Sequence, residues 1–486
     1  MLHPDDCDEL KSKRICFECV AEAYLSDKIK QHGQVAQCSY CDQTAESYTI
    51  EEMADHIETA FDDHVRRTSD QPDSWQQSLM SDRESNYDWE RDGEPVLDAI
   101  ENAAEIPHVA AEDLQAVLDD RHGDFDSAAM GEETEFSSES YYEEKRSSDR
   151  AWQAEWRSFE QSLKTEARFF SRVAASHLAS VFGEIDKLKA TDGRRLVVDG
   201  GPQLTCDHLY RARVFQAEAN LEEALCRPDL HLGSPPANLA SAGRMNARGI
   251  SVFYGATDAG VAIAEVRPPV GSKVAVARFS IIRPLRLLDL TALEDVQDGG
   301  SIFDPSLRRR LERAAFLRSL GQRITRPVMP DDEAFDYLAT QAIADFLATE
   351  NEPRLDGIIF RSAQSEDGRN VVLFHKAARV EEMQFPGGTE IEARTGYGTE
   401  DGWEFDYSVT ESVPPPPPSP LKTVNDDWAG LPLDPGLLYR DNDDFRDKTL
   451  RIDPTSVEVH WVELVKYRCT SYKVDRHRHE KQDWKF

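Results

Sequence analysis

Four cysteines in two close pairs constrain the first part of this 486-residue chain more than any other feature. Cys16 and Cys19 form one pair, Cys38 and Cys41 the other, in the pattern C-x2-C-x18-C-x2-C. Four thiolates at this spacing can close a tetrahedral zinc site, and a small unit with little apolar core often depends on one. Because such a site has no open coordination position, the predicted zinc is structural rather than catalytic. The alternative is four reduced structural cysteines without a metal.

The charge and the other cysteines limit the compartment and the classes of partner. The chain has 91 Asp and Glu against 56 Lys and Arg, a formal charge of −35. This field repels nucleic acid and anionic membranes, although it is compatible with a local basic pocket for a small phosphorylated molecule. Cysteines outside the two pairs are scattered, which is typical of a reducing compartment. No run of 18 apolar residues and no apolar N-terminal region occur, so we expect a cytoplasmic protein.

Composition and periodicity predict five segments. Residues 71–150 hold 23 acidic and 6 basic side chains, so this span carries 17 of the chain's 35 excess negative charges. It is therefore predicted to be a solvated linker with short helices. The five segments are a four-Cys zinc module at 1–70, the acidic linker at 71–150, a helical segment at 151–190, the main domain at 191–380 and an extension at 381–486 with a polyproline spacer at 414–420.

Aromatic residues line one face of the helical segment. They recur at i, i+4, i+7 and i+11 and predict a helix that packs on the domain that follows. The face consists of Trp152, Trp156, Phe159 and Leu163.

The main domain mixes strands and helices. VAVARFSI, LRLLDL, LDGIIFRS and NVVLFHK predict strands, and two longer amphipathic stretches predict helices. Because no regular βαβ rhythm joins them, the predicted fold class is α+β. The sequence has neither GxGxxG after a strand nor GxxxxGK[ST], so it supports neither a Rossmann dinucleotide site nor a P-loop. Near the end of the chain, VEVHWVELVKYRC predicts a strand that returns to this domain.

GRMNARGISVFYGATDAGVAIAEV places a cation, an aromatic ring and a carboxylate in one short stretch, as Arg244, Tyr254 and Glu265. Glycines beside the arginine allow a tight turn. ISVFY predicts a strand that ends at Tyr254, and Thr257 or Asp258 caps the short helix that carries Glu265.

These three residue types suit one kind of chemistry. An arginine fork binds pyrophosphate, an aromatic ring stacks on a base, and a carboxylate stabilises positive charge that develops at a ribose C1′. Together they fit cleavage of an N-glycosidic bond in a dinucleotide. The residues alone also fit an ordinary surface arginine, a core tyrosine and a surface glutamate.

A series of motifs from Tyr210 to Phe374 resembles the RES family, which is named for an Arg, a Glu and a Ser. Order and spacing fit the family pattern throughout, and the second arginine of the first motif leaves open which one faces a ligand. The motifs are LYRAR (Tyr210, Arg211, Arg213), GRMNARG (Arg244, Asn246, Gly249), VFY (Tyr254), AIAEV (Glu265), LDGIIFRS (Ser362) and NVVLF (Phe374).

The resemblance implies an NAD-degrading toxin with a fold similar to mono-ADP-ribosyltransferases and with NAD as its substrate. On the binding side, it implies that Arg211 or Arg213, together with Arg244, holds the phosphates or a ribose. Asn246 belongs to the same expected binding set.

The resemblance also implies roles for three residues in bond cleavage. Tyr254 would pack against nicotinamide, and Glu265 would stabilise the oxocarbenium-like transition state. Ser362 would fix either Glu265 or the ribose.

The leading hypothesis is therefore NAD⁺ glycohydrolysis by a bacterial toxin or phage-defence effector that depletes NAD⁺. The alternatives are mono-ADP-ribosyl transfer to a protein, which shares the first half-reaction, and a zinc-containing interaction protein without catalysis. Restraint of a toxin would come from an antitoxin or from the N-terminal region acting in cis.

The upstream part gives a weaker resemblance and one further alternative. CFEC, CSYC and the helix LKTEARFF resemble a module found ahead of RES or HEPN domains in some bacterial proteins. Arg172 and His177 have the R-x4-H spacing of a HEPN-like ribonuclease, but such spacing is common on ordinary solvated helix faces and the acidity disfavours RNA.

Overall fold

The structure, a computed structural model, describes residues 4–478 except 83, 125–129, 131, 169, 327, 330, 366, 401, 416–443 and 467. The polyproline spacer predicted at 414–420 lies outside the described residues from position 416 onward. The chain divides into two compact units, residues 1–196 with 291–326 and residues 197–290 with 327–486. Among the helices that are described, none has the length and apolar character needed to cross a membrane.

Helices occur in both units. The α-helices are α1 (Pro4–Ser12), α2 (Ala23–His32), α3 (Ile50–His64), α4 (Ser74–Ser81), α5 (Val96–Ala104), α6 (His108–His122), α7 (Arg150–Thr165), α8 (Arg172–Phe182), α9 (Glu218–Cys226), α10 (Pro228–His231), α11 (Ala259–Glu265), α12 (Leu290–Leu293), α13 (Leu307–Thr325) and α14 (Glu333–Thr349). Short 3-10 helices cover Phe17–Cys19, Ala237–Leu239, His375–Ala377 and Pro454–Ser456.

Strands are short in the first unit and longer in the second. They are β1 (Arg14–Cys16), β2 (Gln34–Gln37), β3 (Thr44–Thr49), β4 (Val65–Arg67), β5 (Glu94–Pro95), β6 (Tyr141–Glu144), β7 (Lys189–Ala190), β8 (Val197–Gly200), β9 (His208–Phe215), β10 (Phe253–Ala256), β11 (Lys273–Ile281), β12 (Leu285–Asp289), β13 (Val296–Gln297), β14 (Gly357–Arg361), β15 (Arg369–Leu373), β16 (Val380–Glu381), β17 (Glu390–Thr399), β18 (Gly402–Ser412), β19 (Leu450–Ile452) and β20 (Glu458–Trp461).

The predicted zinc module forms a small sheet with a helix that starts from a strong cap. Strand β3 lies between β1 and β2 in antiparallel pairing. At the start of α3, Thr49 and Glu52 form a reciprocal capping box, with the Thr49 backbone N–H donating to the Glu52 carboxylate at 2.7 Å. The buried face of α3, including Met53 and Ile57, then packs into the core of the first unit.

Much of the acidic segment 71–150 is packed structure rather than linker. Helices α5 and α6 place Ile100 and Leu114 in the same core as α3, with no exposed surface. Strand β6 of this segment pairs with both β4 and β5. Acidic side chains remain at the surface or form ion pairs, such as Glu133 with Arg91 at 2.8 Å. The excess of acidic residues did not reveal this core, because a helix forms a buried face with apolar residues at only a minority of its positions.

The helical segment 151–190 forms two helices, α7, which ends at Thr165, and α8, whose first turn is capped by the Ser171 side chain. The aromatic face predicted on α7 is buried, and the rings of Trp152 and Trp156 contact Phe316 of α13 at 5.9 and 5.6 Å. Helix α13 lies within the segment 191–380 that was predicted as one domain. In the structure, residues 291–326 of that segment belong to the first unit, to which this packing joins them, and residues 197–290 and 327–380 belong to the second.

The second unit is built on one large sheet. The strand order is β16-β19-β11-β9-β10-β15-β14-β12-β8, and β20 also pairs with β11. Pairing is antiparallel except for β12 with β14 and β16 with β19. This mixed arrangement confirms the predicted α+β class, and β20 is the returning strand that the alternation near the C-terminus predicts.

Trp156 tests the packing of the first unit. We expect Trp156→Ala to lower the free energy of unfolding by about 3–5 kcal/mol, because the side chain is 2 % exposed and fills an aromatic cluster. Trp75→Ala is the matched control, since Trp75 is 67 % exposed, and it should change stability by about 0.5 kcal/mol or less. Urea unfolding measures both, and equal losses would contradict the packing described here.

Candidate active site

The four paired cysteines come together as the sequence predicts. Sγ atoms of Cys16, Cys19, Cys38 and Cys41 all lie within 4.8 Å of one another. Burial alone would raise the pKa of the Cys38 thiol, but backbone N–H groups that donate to it, including that of Tyr40, lower the pKa below its ordinary value. Four cysteine sulfurs are one of the donor sets that hold structural zinc, so these residues fit the metal.

Glu265 occupies the last position of α11. Of the two caps predicted for this helix, the structure uses Asp258, whose carboxylate accepts from the backbone N–H of Gly260 at 2.8 Å. Val261 and Ala262 pack the helix onto one face of the large sheet. The helix therefore presents the Glu265 carboxylate at the end of a short rigid element.

Two side chains from the sheet hold this carboxylate. Ser362, just after β14, donates from Oγ to Glu265 Oε1 at 2.6 Å, and Asn370 of β15 donates from Nδ2 to the same oxygen at 2.8 Å. Backbone N–H groups of Gln364 and Ser365 donate in turn to Ser362 Oγ, at 3.0 and 3.2 Å. No hydrogen bond to Oε2 comes from the described residues, so one carboxylate oxygen is fixed and the other is available.

Asn370 is a residue that the sequence interpretation missed. It is the second residue of β15 and the first of the NVVLF motif already singled out, and apolar residues follow it. A polar residue next to this apolar run was the signal in the sequence that could have indicated it. The sheet register explains its position, because Asn370 lies opposite Ala256 of β10 and Phe360 of β14.

The loop that carries Arg244 is held by Tyr254. The Tyr254 hydroxyl donates to Asn246 Oδ1 at 2.9 Å and accepts from the backbone N–H of Met245 at 3.1 Å. Burial raises the pKa of Tyr254 to about 12, so the hydroxyl keeps its proton. A Cβ at Gly243 would lie 2.6 Å from that hydroxyl, so only glycine allows this close approach.

The side chain of Asn246 stabilises the same loop through hydrogen bonds to its backbone. Its amide Nδ2 donates to the backbone carbonyls of Ser241, Ala247 and Ile250 at 2.9 to 3.2 Å, and the side chain is almost fully buried. The hydrogen-bonding groups of Asn246 are thus occupied inside the loop. It shapes the segment that presents Arg244, and a direct contact with a ligand stays a prediction.

Tyr337 lies at this loop, and Arg267 is close enough to Tyr337 to affect its pKa. The Arg244 guanidinium sits over the ring of Tyr337 on α14, with Cζ 5.1 Å from the ring centroid. Burial raises the pKa of Tyr337, while the positive charges of Arg244 and Arg267 oppose this rise. Arg267 follows Glu265 by two positions and has left-handed backbone geometry, with φ of 44°. Sequence motifs pointed to neither Tyr337 nor Arg267.

Arg211 and Arg213 occupy alternate positions of β9 and share a sheet face with Leu209 and Phe215. Arg213 donates from Nη1 to the carbonyl of His231 at 2.8 Å. Arg211 Cζ lies 5.1 Å from the ring centroid of Phe253.

The Arg211 residue is half-buried, with its guanidinium reaching into the protein interior. Burial, with a further contribution from Arg213, lowers the pKa of Arg211 to about 10. Its Nη1 atom is buried and has no hydrogen-bond partner among the described residues. None of the described contacts joins either arginine to Glu265, so the choice between them as ligand-binding residue stays a prediction.

The HEPN-like pair is placed differently. Arg172 is exposed at the start of α8, whereas the His177 ring packs against Trp156 and Phe159 at 5.8 and 5.4 Å. Burial lowers the pKa of His177. The histidine is therefore part of an aromatic core cluster, which favours a packing role over RNA cleavage.

A cavity of about 710 Å³ in the second unit is lined by different residues from those above. Its charged lining includes Arg283, Arg354, Asp356, Arg446 and Asp444. Two of the arginines are paired, Arg283 with Asp356 at 3.1 Å and Arg446 with Asp444 at 2.6 Å. No predicted site residue lines this cavity, so we place the candidate active site at Glu265.

Zinc content tests the four-Cys cluster. We expect about one zinc per chain in the purified protein and its loss in Cys38→Ser, because three thiolates and a hydroxyl hold the metal poorly. Cys469→Ser is the control, since Cys469 is exposed and separate from the cluster. Elemental analysis after gel filtration measures both, and zinc retained by Cys38→Ser would contradict the assignment.

Comparison with known families and proteins gives one finding. Residues 209–393 match the family model of the RES domain. No curated protein and no solved structure matches the chain. The matched segment includes the residues singled out from Arg211 to Ser362, with the Glu265 carboxylate and its two hydrogen-bond donors. Residues 209–393 of this chain are therefore similar to the RES domain family.

Proposed function

We propose that this chain hydrolyses NAD⁺ to nicotinamide and ADP-ribose at Glu265. A RES domain indicates an NAD-related, toxin-like enzyme at the level of the family. The observation that carries the proposal is the Glu265 carboxylate, which is anchored through Oε1 by Ser362 and Asn370 while Oε2 is available. A carboxylate fixed in this way is preorganised to stabilise positive charge.

Hydrolysis of the C1′–N bond requires few catalytic groups other than that carboxylate. When the C1′–N bond breaks, its electron pair leaves with nicotinamide, which departs as a neutral molecule, and positive charge develops at C1′. Glu265 lies on an element that can place a negative oxygen beside this charge. A water oxygen then bonds to C1′ and releases one proton. Since the leaving group is already cationic in NAD⁺, the step requires no metal and no general acid on nicotinamide.

Arginines of the segment matched by the family model suit the diphosphate of NAD⁺. Arg244 is carried on the loop held by Tyr254, and Arg267 lies two residues from Glu265. Guanidinium groups bind phosphate oxygens through paired N–H donors. Arg211 has a buried N–H group without a partner among the described residues, but it lies on the sheet face of Leu209 and Phe215, opposite to the face on which α11 packs. Contact between Arg211 and the substrate therefore stays a prediction.

Loss of NAD⁺ would stop growth, so we propose a role as a toxin or defence effector. Such an activity requires restraint by a separate antitoxin or by the N-terminal region of the same chain. The four-Cys cluster lies outside the matched residues 209–393 and has the donor set of a closed structural site, so we propose that a zinc bound there is structural.

Replacement of Glu265 tests the role of the carboxylate. We expect Glu265→Gln to lower kcat for nicotinamide release by about 10²–10³-fold with unchanged folding, because the neutral amide stabilises developing positive charge poorly. Glu350→Gln is the matched control, since Glu350 is exposed at the end of α14. Chromatography of nicotinamide gives both rates. A folded Glu265→Gln protein with wild-type turnover would remove Glu265 from the mechanism.

Replacement of the two donors tests the anchoring of Glu265. We expect Ser362→Ala and Asn370→Ala each to lower kcat by about tenfold, since each leaves the carboxylate one hydrogen bond fewer and less well oriented. The two donors share one oxygen, so we expect the double variant to lose less than the product of the single losses. Steady-state kinetics of the three variants measures this. Wild-type kcat in the double variant would contradict the anchoring role.

A further inference from the structure

Two side chains of α14 bind the backbone of the loop that carries Arg244. Thr340 Oγ1 lies 2.6 Å from the carbonyl oxygen of Arg244 and donates to it. Gln341 Nε2 donates to the carbonyl of Gly243 at 2.8 Å and to that of Asn246 at 3.1 Å. These contacts span almost a hundred positions of sequence, so no local motif predicts them.

The geometry of these contacts is specific. A glutamine amide has two N–H donors, and both of those of Gln341 are used by two carbonyls of one tight loop. Thr340 is almost fully buried, and its hydroxyl also lies 3.0 Å from the carbonyl of Tyr337 in its own helix. The same helix is anchored in the unit by buried side chains such as Ile343 and Leu347.

The loop is thus held from two directions. On the sheet side, the Tyr254 hydroxyl binds Met245 and Asn246. On the helix side, α14 binds the backbone carbonyls and also places the ring of Tyr337 under the Arg244 guanidinium. A shift of α14 would therefore move both the backbone and the charged group of Arg244.

We infer that α14 sets the position of the Arg244 guanidinium for the substrate's phosphates, with Gln341 and Thr340 as positioning residues. This inference rests on the proposed function. Neither residue touches the Glu265 carboxylate in the structure, whose described donors are Ser362 and Asn370. Loss of the α14 contacts should therefore weaken substrate binding and leave bond cleavage in the bound complex largely intact.

The test compares two variants with two matched controls. Gln341→Glu keeps the shape of the side chain but turns a carboxylate oxygen towards two carbonyl oxygens, and Thr340→Val removes the hydroxyl. Gln384→Glu controls for the added charge at an exposed glutamine, and Thr349→Val controls for the lost hydroxyl at the exposed end of α14. Gln341→Lys restores an N–H donor and tests rescue.

Kinetics and hydrogen exchange give separate readouts. We expect Gln341→Glu to raise KM for NAD⁺ about tenfold or more with kcat within about twofold of wild type, and Thr340→Val to raise KM less. Gln341→Lys should recover part of this loss, while both controls keep the wild-type KM. Without any ligand, backbone amides of residues 243–246 should exchange faster in Gln341→Glu than in Gln384→Glu.

The outcomes separate this inference from the proposed function. Unchanged exchange of residues 243–246 in Gln341→Glu would overturn the role of α14, whether or not the enzyme turns over NAD⁺. Faster exchange with an unchanged KM would overturn the link to substrate binding. A folded wild-type protein that releases no nicotinamide would overturn the proposed function, and with it the link to substrate, while exchange still decides whether α14 fixes the loop.

Discussion

Strand β15 is the constraint on which the candidate site depends. It pairs with β10 on one side and with β14 on the other, so both of its edges are fixed. A slip of one residue against either neighbour would turn Asn370 to the opposite face of the sheet. Because β10 leads into the helix of Glu265 and β14 leads to Ser362, the same pairing brings the carboxylate and its two donors together. The chemistry of the site thus follows from one sheet register.

The Arg244 loop, which we propose binds the substrate's phosphates, is held by a separate set of contacts. The Arg244 loop depends on the Tyr254 hydroxyl, on the buried amide of Asn246 and on side chains of α14. The family resemblance implied that Tyr254 packs against nicotinamide. The structure gives its hydroxyl a role inside the protein, as the link between the sheet and this loop. A substitution in the Arg244 loop can therefore impair substrate binding without impairing bond cleavage at Glu265, and the reverse. Under the proposed function, KM reports on the first set of contacts and kcat on the second.

Local patterns in the sequence predicted many of the helices and strands and singled out most residues of the candidate site. The helix of Glu265, its cap at Thr257 or Asp258, the four-Cys cluster and the order of the RES motifs each depend on spacing within a short stretch. Asn370 and α14 were missed as partners of the site because their contacts join residues about a hundred positions apart. Long-range packing also decided that residues 291–326 belong to the first unit, where α13 meets the aromatic face of α7.

The most direct measurement is product analysis after incubation of the purified full-length protein with NAD⁺ labelled in its adenine ring. The account predicts nicotinamide and free labelled ADP-ribose in equal amounts, with no label on protein. Label fixed to the protein or to an added lysate would contradict hydrolysis and support ADP-ribosyl transfer. Intact NAD⁺ after prolonged incubation with the folded protein would contradict the assignment of Glu265 as a catalytic carboxylate.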